Sequence, residues 1–234
     1  MLKKKSIPNQ YFGQLIWLLQ ERQQFLEEVL QGTKINNKII SLFLCSSIFL
    51  AIYGVILGAY HSWPQAIASG FKLPALYLMT SIICFPTLYF FNVFFGSRKT
   101  FGQNLALLMA AIAVISVLEF SFVPIALLFM TTTNSYQFFV LLNVGICALS
   151  GVLGIKFFYK AMQFMDRDEE SSGQKTRHKI LQYWLWLYAL VGCQLGWTLR
   201  PFFGTPGSEF QLFRPMEGNF YLSVWNSIRA ILGF

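Results

Sequence analysis

Residues 39–60, IISLFLCSSIFLAIYGVILGAY, contain no Asp, Glu, Lys, Arg or His. At about 1.5 Å of rise per residue, such a run reaches across a hydrocarbon core of about 30 Å. Hydrocarbon offers no water to bond the backbone, so the segment must close its own N–H and C=O groups as a helix. Four further apolar runs, 75–95, 104–122, 137–158 and 180–199, suit the same solution. The sequence therefore predicts an all-α, polytopic membrane helix bundle of about five transmembrane helices within residues 39–200. Composition agrees, because 12% of residues are charged, against about 25% in a typical soluble domain.

The runs differ in detail. Pro86 interrupts the second, where neighbouring helices can satisfy the freed carbonyl. The third carries Glu119, and its apolar character continues past Pro124 to residue 130, as a broken or re-entrant extension. The fourth holds Gly145, Gly151 and Gly154, a small face for close helix approach. Residues 61–74, HSWPQAIASGFKLP, read as a short connection resting at the membrane interface. Cys45, Cys84, Cys147 and Cys193 each lie within apolar surroundings and behave as small hydrophobes. Internal repeats, of the kind that mark inverted-repeat transporters, are not evident.

Residues 1–38 read as a cytoplasmic N-terminal segment. Within it, QYFGQLIWLLQERQQFLEEVLQ (10–31) places Phe12, Leu15, Ile16, Leu19, Leu26, Val29 and Leu30 mostly at three- and four-residue spacings. That pattern predicts one amphipathic helix, stopped by Gly32, lying on the membrane or against a partner. The basic start MLKKKSIPNQ lacks a following apolar core, so no removable signal peptide is expected. Residues 201–234 read as a non-cytoplasmic cap loop followed by a short terminal helix, with Trp225, Ile228 and Leu232 as its stripe.

The net charge of +8 follows from the distribution of basic residues between loops and does not call for nucleic acid. Segments 1–38, 96–103 and 156–179 hold fourteen of the eighteen Lys and Arg residues. Five spans put these three segments on one side. The excess of positive charge makes that side cytoplasmic, with the C-terminus opposite.

Glu119 is the sharpest intramembrane feature. A carboxylate at membrane depth costs several kcal/mol, on the order of 3, unless it is paired, protonated or watered. It is read first as a hydrogen-bonded group stabilising the bend before Pro124, with a proton or cation site as the alternative. Asn92 and Asn143 are expected to hydrogen-bond between helices. His61 and His178 lie outside the spans and lack ligands at metal spacing, so no metal is expected. Phosphate-binding, nucleophile-elbow and zinc-protease motifs are absent. No cofactor is assigned, and the aromatic residues read as interface anchors.

The segment WTLRPFFGTPGSEFQLFRPMEGNFY (197–221) has neither helical nor strand periodicity. Arg200 and Arg214 each precede proline and are biased to extended backbone. Glu209 and Glu217 are available to pair with them. Phe203, Phe210, Phe213 and Tyr221 belong to a set of aromatics that cannot all stay in water. The loop is expected to fold back on the membrane domain or meet a partner. Whether it is a partner-binding cap using Arg200, Phe203, Arg214, Glu217 and Tyr221, or only a shield for helix ends, stays open.

YGVILG (53–58), FKLPALYLMTSIICFPTLYFFNVFFGSR (71–98) and LLNVGICALSGVLG (141–154) resemble the membrane core of bacterial Yip1-like proteins. The closing segment resembles the end of certain bacterial, in style cyanobacterial, membrane proteins. The resemblance implies five spans in the inner (plasma) or thylakoid membrane, and a role in membrane organisation or partner recruitment. It implies no catalytic residues. The expected function is that of a non-enzymatic anchor, scaffold or accessory subunit. Its partners would be the lipid bilayer and other membrane proteins or a second copy, with no nucleic acid. The alternative is a transporter or channel component using Glu119. Cysteine markers at Ser6 and Ser208 should react with an impermeant reagent from opposite sides of the membrane; reaction of both from one side overturns the odd number of crossings.

Overall fold

The protein is described here from a computed structural model, which describes residues 11–133, 135–167, 174–204, 209–213, 225, 226 and 229. Eight helices occur among them: α1 (Tyr11–Gln20), α2 (Arg22–Leu30), α3 (Ile35–Ala59), α4 (Trp63–Phe94), α5 (Phe101–Ser121), α6 (Val123–Thr132), α7 (Tyr136–Met165) and α8 (Gln174–Thr198). No strand occurs among the described residues. Four helical stretches are long and apolar enough to cross a membrane: α3, α4, the α5–α6 unit and α7. The 25 residues of α8 equal α3 in length, but Gln182, Gln194 and its many Trp and Tyr residues make it less apolar.

The core of the fold is a hairpin of α3 and α4. Gly54 and Gly58 lie one turn apart on α3 and face the backbone of α4. A Cβ on Gly54 would come within 2.4 Å of the Ser69 carbonyl oxygen, and one on Gly58 within 2.3 Å of the Gln65 carbonyl oxygen. The helices touch backbone to backbone only because side chains are missing there. On another side, α3 packs against α5, which packs against α7. Gly154 of α7 admits the side chain of Ile115 from α5, whereas Gly145 and Gly151 face open space.

Helix α8 runs antiparallel along α4. Arg177 Nη1 donates to the Phe95 carbonyl at 3.1 Å, Trp184 Nε1 to the Cys84 carbonyl at 3.0 Å, and Tyr188 Oη lies 3.2 Å from Ser81 Oγ. Farther along, Gly192 faces Thr80 and Gly196 faces Leu76.

Several expected boundaries move. The single helix expected over 10–31 is two helices, broken at Glu21, whose φ of −126° and ψ of 56° are not helical. Gly32, at φ +75°, ends the second. Residues 63–74 are not a connection: they are the first turns of α4, with Pro74 and Pro86 both inside the helix. Their Ala, Gln and Leu content supports helix, and Pro64 sits in the first turn, where its missing N–H costs nothing. The break near Pro124 falls at Phe122, and α6 carries the chain on to Thr132. At the C-terminus, Trp225, Asn226 and Arg229 are helical, while Ile228 and Leu232 lie outside the described residues.

The end of the bundle near Lys38 is tied by polar contacts. Lys38 Nζ is buried and donates to Glu28 Oε2 at 2.9 Å and to the Thr33 carbonyl at 2.7 Å. It also lies over the rings of Trp17 and Phe25. Gln103 closes a capping box with Thr100 and donates from Nε2 to the Val29 and Leu30 carbonyls, at 3.1 and 2.7 Å. Lys99 pairs with Asp166, and His178 Nε2 lies 3.2 Å from the other Asp166 oxygen. The start of α8 is thereby fastened to the end of α7 and the α4–α5 turn.

Replacing Gly58 with Leu should lower stability by about 1–3 kcal/mol or more, since the clash is with backbone. Gly145→Leu should have little effect. Thermal unfolding of purified protein in detergent compares the two, and equal midpoints would refute the backbone contact.

Candidate functional site

Several polar residues inside the spans converge in one cluster. Glu119 (α5) is 0% exposed, and the Tyr77 hydroxyl (α4) donates to its Oε1. The Cys147 thiol (α7) also interacts with this carboxyl. Asn143, one turn before Cys147, accepts from the Tyr53 hydroxyl (α3) at 2.8 Å through Oδ1. Its Nδ2 donates to the Phe139 carbonyl at 2.7 Å. Ser81, one turn after Tyr77, links to Tyr188 of α8. Helices α3, α4, α5, α7 and α8 all contribute. Glu119 Oε2 is buried and has no partner of normal hydrogen-bond geometry among the described residues.

In an interior that excludes water, an unpaired polar group costs more than it does at a surface. The cluster answers by pairing each long polar side chain with one from another helix. Chemically, a carboxyl set among two phenols, an amide and a thiol can cross-link helices or hold a proton. Asn92 makes a separate cross-link, donating from Nδ2 to Asn104 Oδ1 at 2.8 Å between α4 and α5.

A second assembly lies at the opposite end from Lys38. Gln65, Ser69 and Lys72 follow one another at helical spacing on α4 and hold the chain that leaves α8. Gln65 Nε2 donates to the Pro201 carbonyl at 2.7 Å and Ser69 Oγ to the Phe202 carbonyl at 2.6 Å. Lys72 Nζ donates to the Pro201 carbonyl at 3.3 Å and also to the Leu212 carbonyl, with the Phe213 ring 4.7 Å away. The Arg200–Pro201 peptide is cis. Gly204 lies so close to His61 that a Cβ would meet its ring carbon at 2.4 Å, and its φ of +31° suits glycine.

The predicted site residues fall into different places. Glu119 and Asn143 meet in the interior cluster. Phe203 packs edge-to-face on Phe139, centroids 6.0 Å apart. The Arg200 guanidinium stacks on Trp197 at 3.5 Å. Glu209, one of its expected partners, is exposed. Arg214, Glu217 and Tyr221 lie outside the described residues. Sequence reasoning missed Tyr53, Tyr77, Gln65, Ser69 and Lys72. The 65, 69, 72 spacing of polar residues was a readable signal, whereas nothing local marks Tyr77 as the partner of Glu119.

The chain matches no family model, no curated protein and no solved structure.

The substitution Lys72→Met removes the donor that two loop carbonyls share. Losing those bonds should cost about 1–3 kcal/mol. Chymotrypsin should then cut faster between Phe202 and Phe213 than in the wild type, as read by mass spectrometry. Unchanged cleavage would show that Lys72 does not hold the loop.

Proposed function

We propose that the chain is a five-span membrane protein that acts by binding, as an anchor, scaffold or accessory subunit of a larger membrane assembly. In this reading α8 is the fifth span. Its antiparallel course along α4 supports this, as does its length of about 37 Å at 1.5 Å per residue. The charge distribution supports a cytoplasmic Lys38 end and a non-cytoplasmic cap. The resemblance to Yip1-like proteins points to the same five-span organisation.

One observation carries the binding role. At the cap end, Trp63, Ile67 and Phe71 form an i, i+4, i+8 stripe on α4, with Trp63 82% and Phe71 76% exposed. Phe210, Leu212 and Phe213 of the cap are also exposed, and Lys72, next to Phe71, holds that loop in place. Apolar side chains gathered on an ordered surface suit recognition of another membrane protein or a second copy. Arg22, Gln23 and Gln24 on α2 supply a polar exposed face at the other end.

The orphan Glu119 Oε2 favours a second reading, a transporter or channel component in which this carboxyl carries a proton. The two readings part on mutation. Cross-linking in native membranes, followed by mild-detergent purification, should give an assembly that survives Glu119→Gln. It should fall apart in a Trp63→Ser, Phe71→Ser double variant. Loss of the assembly in Glu119→Gln, or its survival in the double variant, would count against the binding reading.

A further inference from the structure

Helix α1 does not show the surface of an amphipathic helix lying flat on water. Its outward residues are Phe12, Ile16 and Leu19, at 50%, 42% and 48% exposed. Its inward residues, Leu15 and Leu18, are buried in the core. Both faces are apolar. Gln14 is turned partly inward, and Gln20, the exposed polar residue, stands at the helix end next to the Glu21 break.

The neighbours of α1 give its depth. Phe12 packs edge-to-face on Phe49 of α3, centroids 5.9 Å apart, and Phe49 in turn stacks on Phe120 of α5 at 4.7 Å. Phe49 lies eleven residues beyond Lys38, about 16 Å along the helix at 1.5 Å per residue. That is about half of a hydrocarbon core about 30 Å thick. Trp17, toward the other end of α1, lies under the Lys38 ammonium. The ten residues of α1 thus cover about 15 Å, from near mid-bilayer to the polar contacts of Lys38.

We infer that α1 is a half-membrane helix. Phe12, Ile16 and Leu19 would contact the acyl chains of the leaflet on the Lys38 side, with Phe12 deepest. From the fifth residue on, the hydrogen bonds of the helix satisfy its N–H groups at that depth, and the apolar outward face is the one that hydrocarbon accepts. Helix α2, with Arg22, Gln23 and Gln24 exposed, then lies at the boundary with water. The inserted helix adds cross-section to one leaflet alone. This goes beyond the binding role and does not depend on it.

The test is nitroxide depth measurement in lipid bilayers. Single labels at Phe12→Cys, Ile16→Cys and Leu19→Cys are placed in a chain whose four native cysteines are replaced. Labels at Ile40→Cys and Ile48→Cys on the exposed side of α3 serve as depth standards. Accessibility to oxygen relative to a water-soluble nickel chelate should rise from Leu19 to Ile16 to Phe12. The Phe12 label should match the Ile48 label. Equal depth at the three positions, or free access of nickel at Phe12, overturns the inference. The unmodified chain provides a second measurement if the cysteine-free one does not fold. A phospholipid with a photoactivatable group at its acyl terminus should tag residues 11–20 as it tags the spans. Tagging of the spans without α1 overturns it equally.

Discussion

The approach of α3 to α4 at Gly54 and Gly58 is the contact on which the other helices depend. Lipid tails are as apolar as leucine, so burying apolar side chains gains little inside a bilayer. Close contact, many small dispersion terms and satisfied polar groups must hold the bundle instead. Two glycines let the α3 backbone rest on the α4 backbone at Gln65 and Ser69. Those same two residues turn their side chains to the cap. Farther along, α4 presents Tyr77 to Glu119 and Ser81 to Tyr188. It is the helix through which the hairpin, the interior cluster and the cap are joined.

The polar side chains divide by depth. Near Lys38, charged groups pair with acids and helix-end carbonyls, which fastens α1 and α2 to the bundle. In mid-span only one carboxyl appears among the described residues of the spans, and it is met by neutral hydroxyl and thiol groups rather than by a cation. At the cap, one lysine and two neutral side chains hold backbone carbonyls of a segment whose described residues, 201–204 and 209–213, have no regular structure of their own. Such a segment needs external donors, because its carbonyls have no helix or sheet to bond to.

Much of this architecture is legible along the chain. Runs of uncharged residues announce the helices, and Asn92 and Asn143 announce cross-links between them. The Gly54 and Gly58 pair is a Gly-x-x-x-Gly spacing, a readable sign of close helix contact. The N-terminal region carries a weaker signal. Periodicity over 10–31 merges two helices, because a break at Glu21 leaves no Pro or Gly in the sequence. The apolar residues of α1 look like one face of an amphipathic helix until their burial shows two. The stretch 61–74 looked like a connection because His61, Pro64, Ser69, Gly70 and Lys72 dilute its hydropathy. From Trp63 on it is helix, and its polar residues Gln65, Ser69 and Lys72 share one face and find partners.

What the sequence by itself determined is the helical class, the apolar runs and the asymmetry of charge. The first two follow from length and composition against the fixed thickness and low polarity of a bilayer, and the third from where Lys and Arg fall between the runs. What only the tertiary structure decided is which residues meet. Tyr77 lies 42 residues from Glu119, Tyr53 lies 90 from Asn143, and Gln65 lies 136 from Pro201. Such pairs leave no local pattern, because each partner is an ordinary residue within its own helix. They become specific only when glycine contacts and interhelical bonds set the rotation and depth of every helix at once.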